Sequence, residues 1–433
     1  MARTDKPNIL YILADDMGWG DVSYHGADIR TPAIDRLVTT GVELDHHYVC
    51  PVCTPTRTSL LTGRNPGRFG RHATVPTIQP VLPDGYETLA SYLRNAGYDT
   101  GLFGKWHLGS SLKYVANNWG FNISYGCQAG CMDPYTHRYH LKGYEHTWHR
   151  DGTPIDEPGH ATDLILRGAR SWIESRDEPW FCYVPFTAVH EPVKAPQSWL
   201  DQYAFETFDE DPLRDRSFKK YAAYASHMDY AVGQLLEERD LTRDTLVVFA
   251  SDNGAIEGCD SAEKWPGWYE ETPRLGSNLP LRGYKGQLYE GGMRTPAVVS
   301  WPGTLAPRKV EDPMHMVDWM PTLTRLAGCD QDDPRWDGVD IWHLLTGDGG
   351  AEGRRCIYWN LQHQRFAVVH ENWKLILDQR GEEPVAELFD ILADPYEKTD
   401  LTKEKPEVVE TLTGMIANER ERDNTSKRAD VTE

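Results

Sequence analysis

The stretch Cys53-Thr54-Pro55-Thr56-Arg57-Thr58-Ser59-Leu60-Leu61-Thr62-Gly63-Arg64 sets a thiol, a proline and an arginine close together and runs at once into an apolar segment. Pro55 fixes its own φ and biases Thr54 away from the α region, so a helix is expected to begin near Pro55 with Cys53 just ahead of its first turn. Free N–H groups at a helix start favour an anion, and Arg57, one turn on, adds a cation beside the same spot. Cys53 is therefore a candidate nucleophile. Two plainer readings stand beside it: a buried structural cysteine, and a metal or redox pair with Cys50, which completes C-x-x-C. No second C-x-x-C follows, and Cys127 and Cys131 have another spacing, which disfavours a zinc ribbon.

Toward the N-terminus, Asn8–Ala14 is a continuous apolar run, as expected of a strand buried on both faces of a parallel sheet, and it stops at Asp15-Asp16-Met17-Gly18. Two carboxylates thereby reach the C-terminal edge of a central strand, where open α/β sheets bind ligands. Thr31 and Pro32 open a helix that Gly41 closes. Beyond the cysteine stretch, helix periodicity over Tyr86–Gly97 leads into a strand from Tyr98 to Phe103, which delivers Gly104-Lys105-Trp106-His107-Leu108-Gly109 to the same edge. Lys105 and His107 can point to one side together, the first as fixed charge and the second as a proton carrier. The apolar run from Trp180 to Val184 ends in Pro185–Pro192, which carries His190. Thr245–Ala250, the clearest strand, gives way to Ser251-Asp252-Asn253-Gly254, which can complete an all-oxygen site with Asp15 and Asp16 suited to a hard cation such as Ca²⁺. Each piece has a bland counterpart: a capping Asp pair, an Asp-Asn-Gly turn, a solvated Lys-x-His loop, a loop histidine.

Between Asn117 and Gly159 the pattern breaks into aromatics, glycines and four histidines, His137, His140, His146 and His149. An irregular lobe with surface histidines is expected there, since the spacing fits no standard metal set. Helices are expected over His160–Arg176 and Ser217–Glu238. Trp265, Trp268 and Tyr269 fall in a Pro/Gly-rich loop where they can stack on a sugar or aryl ring or simply pack. A strand over Ala297–Trp301 and a helix over Val317–Ala327 close a large catalytic domain, residues 1–350. Residues 351–433 read as a separate α+β subdomain: a hairpin from Arg365–His370 and Trp373–Asp378, a strand at Glu387–Asp390, and a helix from about Pro406 to Arg420. The fold class expected is α/β, with a large mixed but mostly parallel sheet sandwiched by helices and a small C-terminal antiparallel sheet plus helix.

A chain of 433 residues with 39% hydrophobic residues can bury a large core, and a formal charge of -21 argues against nucleic acid as a partner. An anionic substrate needs a local basic exception. Eight cysteines in so long a chain do not suggest a disulfide scaffold. No membrane span is expected, and Ile9–Ala14 is too short for a signal h-region. A cytoplasmic protein is expected if the chain is complete, a periplasmic or secreted one if a leader was removed.

Cys53-Thr54-Pro55-Thr56-Arg57 followed by Leu61-Thr62-Gly63-Arg64 resembles the signature of the type I sulfatases, of the alkaline phosphatase-like superfamily, in which the cysteine of C-x-P-x-R becomes formylglycine (3-oxoalanine). Thr56 stands where serine is more usual and keeps the hydroxyl. The Lys105–His107 segment resembles the second sulfatase signature, and the stretch from Leu281 to Pro296 resembles the segment that presents a sulfate-binding lysine, which falls on Lys285. What the resemblance implies is one Ca²⁺ on Asp15, Asp16, Asp252 and Asn253, with the modified Cys53 at the metal. It further implies catalytic roles for Arg57, Lys105, His107, His190 and Lys285, a formylglycine-generating enzyme as maturation partner, and a sulfated small molecule or saccharide as substrate. The approach from Arg274 to Arg282 looks more like the arylsulfatase and polysaccharide sulfatase branch than the phosphonate hydrolases. The rival activity is hydrolysis of a phosphonate monoester or phosphodiester; the rival class is a non-catalytic carbohydrate-binding protein, suggested by 15 Trp and 21 Tyr.

Overall fold

A computed structural model describes residues 6–177, 179–237, 244–256, 276–329, 333–348 and 355–424. The expected boundary near residue 350 and the aromatic loop with Trp265, Trp268 and Tyr269 lie outside the described residues.

Among those residues ten strands form one sheet. At its centre Thr245–Ser251, Asn8–Ala14, Trp180–Pro185, Asp99–Lys105 and Ile123–Cys127 run side by side and parallel. Ala297–Ser300 pairs antiparallel with the Thr245 strand and carries Val42–Leu44 and Arg308–Val310 outward. The mixed, mostly parallel sheet expected from the apolar runs is present.

Alternation along the Asn8 strand explains the two layers that cover it. Leu10, Ile12 and Ala14 join a core that includes Ile34 and Leu37 of helix Pro32–Thr40, Leu164 of Ala161–Glu174 and Tyr224 of Pro212–Leu236. Ile9, Tyr11 and Leu13 face the opposite core, with Leu60 and Leu61 of helix Cys53–Thr62, Leu89 of Leu89–Asn95 and Leu323 of Trp319–Leu326. Each fully buried apolar side chain contributes roughly 1.5–3 kcal/mol against the ordering entropy.

The lobe after Asn117 differs from expectation. Ile123–Cys127, Trp148–Arg150 and Thr153–Pro154 extend the sheet, and His137 and His149 are buried rather than on the surface. Glycines and short polar interruptions hid these strands, because pairing to Asp99–Lys105 supplies what local propensity lacks.

The hairpin Arg365–His370 with Trp373–Asp378 is present as expected, flanked by Ile357–Leu361 and Val385–Asp390 in one antiparallel meander. One face packs Ala367 and Val369 against Tyr48, of the short strand His47–Tyr48, and Cys50 and Val52 just after it. The other packs Phe366 and Val368 against helix Pro406–Glu421 through Leu412 and Ile416. No helix among the described residues is long and apolar enough to cross a membrane.

Burial keeps several histidines neutral. His47 is pushed down to about 3 by desolvation, its Nε2 accepting from Trp319 Nε1 at 3.1 Å. An unfolded imidazole, near 6.5, takes a proton first, so this side chain withdraws stability as pH falls below about 6.5. Between pH 7 and pH 4.5, His47→Gln should therefore gain roughly 2.5 kcal/mol relative to the wild type, read as the change in the difference of their urea midpoints.

Candidate active site

The register of the sheet sets the centre of the site. Ala14 and Ser251 are paired, so Asp15 and Asp252 leave neighbouring strands side by side at their C-terminal ends. Asp252 N donates to Ala14 O at 3.0 Å, and Asp16 N donates to Asp252 Oδ1 at 3.1 Å. Asp15 N donates to Ala188 O and Val189 N to Asp15 O, which ties the loop carrying His190 to the same edge. Asp16 has φ 66° and His107 φ 58°, left-handed conformations that cost a non-glycine residue about a kcal/mol or more and concentrate at functional sites. Sequence periodicity carries no signal for either.

Helix Cys53–Thr62 begins at the cysteine itself, two residues before the expected start, with Thr56 N donating to Val52 O at 3.3 Å. Pro55 is tolerated within the first turn because its missing N–H would have had no intrahelical partner there. Every residue of this helix is buried. Arg57 consequently turns inward: Nη1 donates to Lys105 O at 2.8 Å, and Nη2 and Nε to Asp252 Oδ2 at 2.7 and 3.2 Å. It braces the carboxylate and the end of the lysine strand rather than lying open beside the thiol.

The remaining cations converge. Lys105 Nζ donates to Asp15 Oδ2 at 2.5 Å, and Lys285 Nζ to Asp16 Oδ2 at 2.8 Å. His190 Nε2 lies 3.6 Å from Asp16 Oδ2, while its Nδ1–H donates to Glu191 O at 2.7 Å. That contact fixes the proton on Nδ1 and turns Nε2 to the site. Lys285 is held by its loop: Lys285 N donates to Ala255 O, Gly286 N to Pro51 O, and Asn278 Nδ2 to Gly283 O at 3.2 Å. Asn278 has no motif around it and escapes sequence reading.

Burial dominates the electrostatics. The Cys53 thiol is pushed up to about 12 by desolvation, against the pull of Lys105 and Lys285. The helix start therefore does not make a thiolate, and direct attack by sulfur is disfavoured. Burial also raises the Asp15 carboxyl, Lys105 pulling against it. At Asp16 burial pushes up, but Lys285 and His190 outweigh it and hold the carboxyl well below its usual range. His107 is kept neutral by burial, reinforced by Lys105 and Arg57.

A cation fits this arrangement. Asp15 Oδ1 and Asn253 Oδ1 are buried acceptors with no hydrogen-bond donor, a costly state that a metal ion relieves. Metal-capable atoms of Asp15, Asp16, Cys53 and His190 all lie within 4.8 Å of one another. Asn253 Nδ2 donates to Asp16 Oδ1 at 2.7 Å, which joins it to the group. The oxygens of Asp252 already accept from Asp16 N and Arg57, so it serves as a brace as much as a donor. Carboxylates and an amide oxygen suit a hard divalent ion.

Residues 7–329 match the family described as Sulfatase, and residues 284–422 match N-sulphoglucosamine sulphohydrolase, C-terminal. The chain belongs to the sulfatase family. Sulfatases are sulfuric ester hydrolases, so it is an enzyme of that class. This sulfatase is 30% identical to arylsulfatase J of Mus musculus over 95% of its own length and 75% of that protein's. It is 31% identical to arylsulfatase A of Homo sapiens, covering 83% and 71%. Among solved structures, Ps i-CgsB superposes with a TM-score of 0.84 at 27% identity, covering 97% of this sulfatase and 94% of that chain. The fold class expected from the sequence is the one these relatives share. The phosphonate monoester hydrolase of Agrobacterium radiobacter, at 19% identity and a TM-score of 0.63, shares the fold alone.

Proposed function

We propose that this sulfatase cleaves an aryl or carbohydrate sulfate through a formylglycine made from Cys53, with one Ca²⁺ held by Asp15, Asp16, Asp252 and Asn253 beside the modified residue. The observation that carries the reading is the pair of buried, donorless oxygens, Asp15 Oδ1 and Asn253 Oδ1, next to a cysteine too strongly desolvated to act as a thiolate. A bound calcium ion would supply a Lewis acid that neutralises a sulfate oxygen. A hydrated aldehyde at position 53 would supply two hydroxyls on one carbon, which neither serine nor cysteine offers.

The chain's own groups then have distinct tasks. Lys105 and Lys285 offset the charge of an incoming sulfate, since both already face the carboxylate cluster. Arg57 holds Asp252 in place through two hydrogen bonds to Oδ2. His190, with Nδ1–H committed to Glu191 O, can present a proton from Nε2 to a departing alkoxide when it is an imidazolium. Lys285 is the alternative proton donor to the leaving group. His107, held neutral, has Nδ1 buried without a partner and can take a proton from position 53. A saccharide substrate is supported by Ps i-CgsB, which has been solved with k-i-k-neocarrahexaose at a TM-score of 0.83 and 26% identity. The maturation partner is a formylglycine-generating enzyme acting on Cys53-Thr54-Pro55-Thr56-Arg57.

The mass of the tryptic peptide Leu37–Arg57 tests the nucleophile: aldehyde supports it, thiol in an active preparation refutes it. Competing rates on aryl sulfate and aryl phosphate separate sulfatase from phosphoryl-transfer chemistry. Calcium has its own readout. At a free concentration 100 times Kd it should raise unfolding stability by about 2.7 kcal/mol, and Asn253→Leu should remove most of that gain. A melting temperature indifferent to chelator and to calcium would contradict the metal assignment.

A further inference from the structure

The loop that presents Lys285 is gripped from the C-terminal sheet as well as from the large domain. Arg282 Nη1 donates to Glu397 O at 2.9 Å, Glu290 N to Glu397 Oε2 at 2.7 Å, and Arg365 Nη1 to Gly286 O at 3.1 Å. The last of these differs from the others. Arg365 starts a strand and shares a face with Ala367 and Val369, the face that packs on Cys50 and Val52. Its guanidinium therefore lies at the rim where the two parts of the fold meet, against the residue after Lys285, whose own N–H donates to Pro51 O.

This arginine has no carboxylate partner among the described residues. Asp378, directly across the ladder, is taken by Arg380 through Nε at 3.0 Å and Nη2 at 2.5 Å. Arg365 Nε is buried with no acceptor, and burial with the nearby Arg380 pulls the guanidinium below its ordinary pKa, Asp378 offsetting them only in part. A half-buried cation whose hydrogen-bonded acceptor is a backbone carbonyl, and whose nearest carboxylate is shared with Arg380, is costly in a chain of formal charge -21, where carboxylates outnumber bases 66 to 45. The turn before it is anchored to the large domain. Gln362 N donates to Thr74 Oγ1 at 3.1 Å, which seats residues 362–364 on the turn Arg71–Thr74. The carboxylate on this side, Asp423, is occupied by Arg68, Tyr358 and Asn360. The same segment reaches the catalytic helix, where Thr77 N donates to Thr54 Oγ1 at 3.4 Å.

We infer that Arg365 forms a second oxyanion subsite beside the sulfate-binding lysine, so that the preferred substrate carries another sulfate or carboxylate near the ester that is cleaved. The inference rests on the sulfatase reading of the site and adds the substrate class: a polyanionic saccharide rather than a neutral aryl alcohol esterified once. Guanidinium nitrogens bind planar or tetrahedral oxyanions through paired N–H donors, which suits either group.

The test compares a disaccharide bearing one sulfate with the same disaccharide bearing a second sulfate, and with a uronate-containing counterpart. The readout is the ratio of kcat/KM for the doubly charged over the singly charged sugar. It should exceed one in the wild type, fall about tenfold in Arg365→Met, and be partly kept in Arg365→Lys. The uronate arm tells a carboxylate from a sulfate preference. A ratio near one in the wild type, or one that Arg365→Met leaves unchanged, overturns the subsite. Absence of sulfate release from every sugar by aldehyde-bearing protein would instead overturn the sulfatase reading. In that event the ratio of Kd values, measured by calorimetry with the same sugars and variants, still decides on Arg365: a ratio near one, or one insensitive to Arg365→Met, rejects it.

Discussion

Cys53→Ala is expected to lower sulfate release by roughly 10⁴-fold or more while moving the melting temperature by less than about 3 °C. The two halves of that expectation come from different features. Cys53 is 1% exposed, so trimming it to a methyl group leaves a void of a single atom, which costs about 1 kcal/mol. The catalytic loss has another origin: without an oxidisable side chain at 53, Lys105, Lys285 and His190 surround a position that carries no nucleophile. Turnover of an aryl sulfate and a thermal scan on one preparation check both parts. An alanine variant that still releases sulfate would remove Cys53 from the chemistry, and one that unfolds would return it to the role of a structural cysteine.

The second large effect belongs to the joint between the two sheets. Lys374 in the Trp373–Asp378 strand is wholly buried between Glu290 Oε1, at 2.8 Å, and Glu397 Oε1, at 2.7 Å. Tyr48 Oη donates to Glu290 Oε2 at 2.9 Å, and Glu290 N donates to Glu397 Oε2. Burial pushes the Glu397 carboxyl up, Lys374 pulling against it; at Glu290 burial is outweighed by Lys374 and Arg294, which hold it low. Lys374→Met removes the cation between two facing carboxylates, leaving Arg294 beside Glu290 alone, and should cost roughly 3–5 kcal/mol, read from urea midpoints at pH 7. The sign of its pH dependence follows. Once the lysine is gone the Glu397 carboxyl, already pushed up by burial, rises further and the Glu290 carboxyl rises with it, so the deficit should shrink as pH is lowered and grow as it is raised. Adding Glu290→Gln to the same variant should recover part of the loss, because one of the two opposed charges disappears.

The parts of this protein that could be read from its sequence are those written in short-range pattern. Continuous apolar runs marked Asn8–Ala14 and Thr245–Ser251 as central strands, and their polar ends placed Asp15, Asp16, Asp252 and Asn253 at one edge, as the register shows. The hairpin of the small sheet was equally plain from its alternation. What escaped depends on partners far along the chain. Arg57 looked like an anion's companion, yet its guanidinium spans 195 positions to Asp252. Asn278 and Lys374 sit in stretches with no motif, and their importance exists only once distant loops meet them. The left-handed backbone at Asp16 and His107 is imposed by surrounding hydrogen bonds rather than by residue preference. Burial also sets the state of the Cys53 thiol, since desolvation there outweighs the field of the helix start and of the two lysines.

The helix that bears Cys53 is enclosed along its whole length, and this sets an order of events in the life of the chain. No catalytic group of another protein can touch that sulfur after the core has closed over it, so the proposed oxidation has to happen on a chain still open. Synthesis faster than the modifying enzyme can follow would then yield molecules that are well folded, heat-stable and inert. Specific activity in a preparation would report the outcome of a race run before folding, and slowing translation or supplying more of the modifying enzyme should raise it.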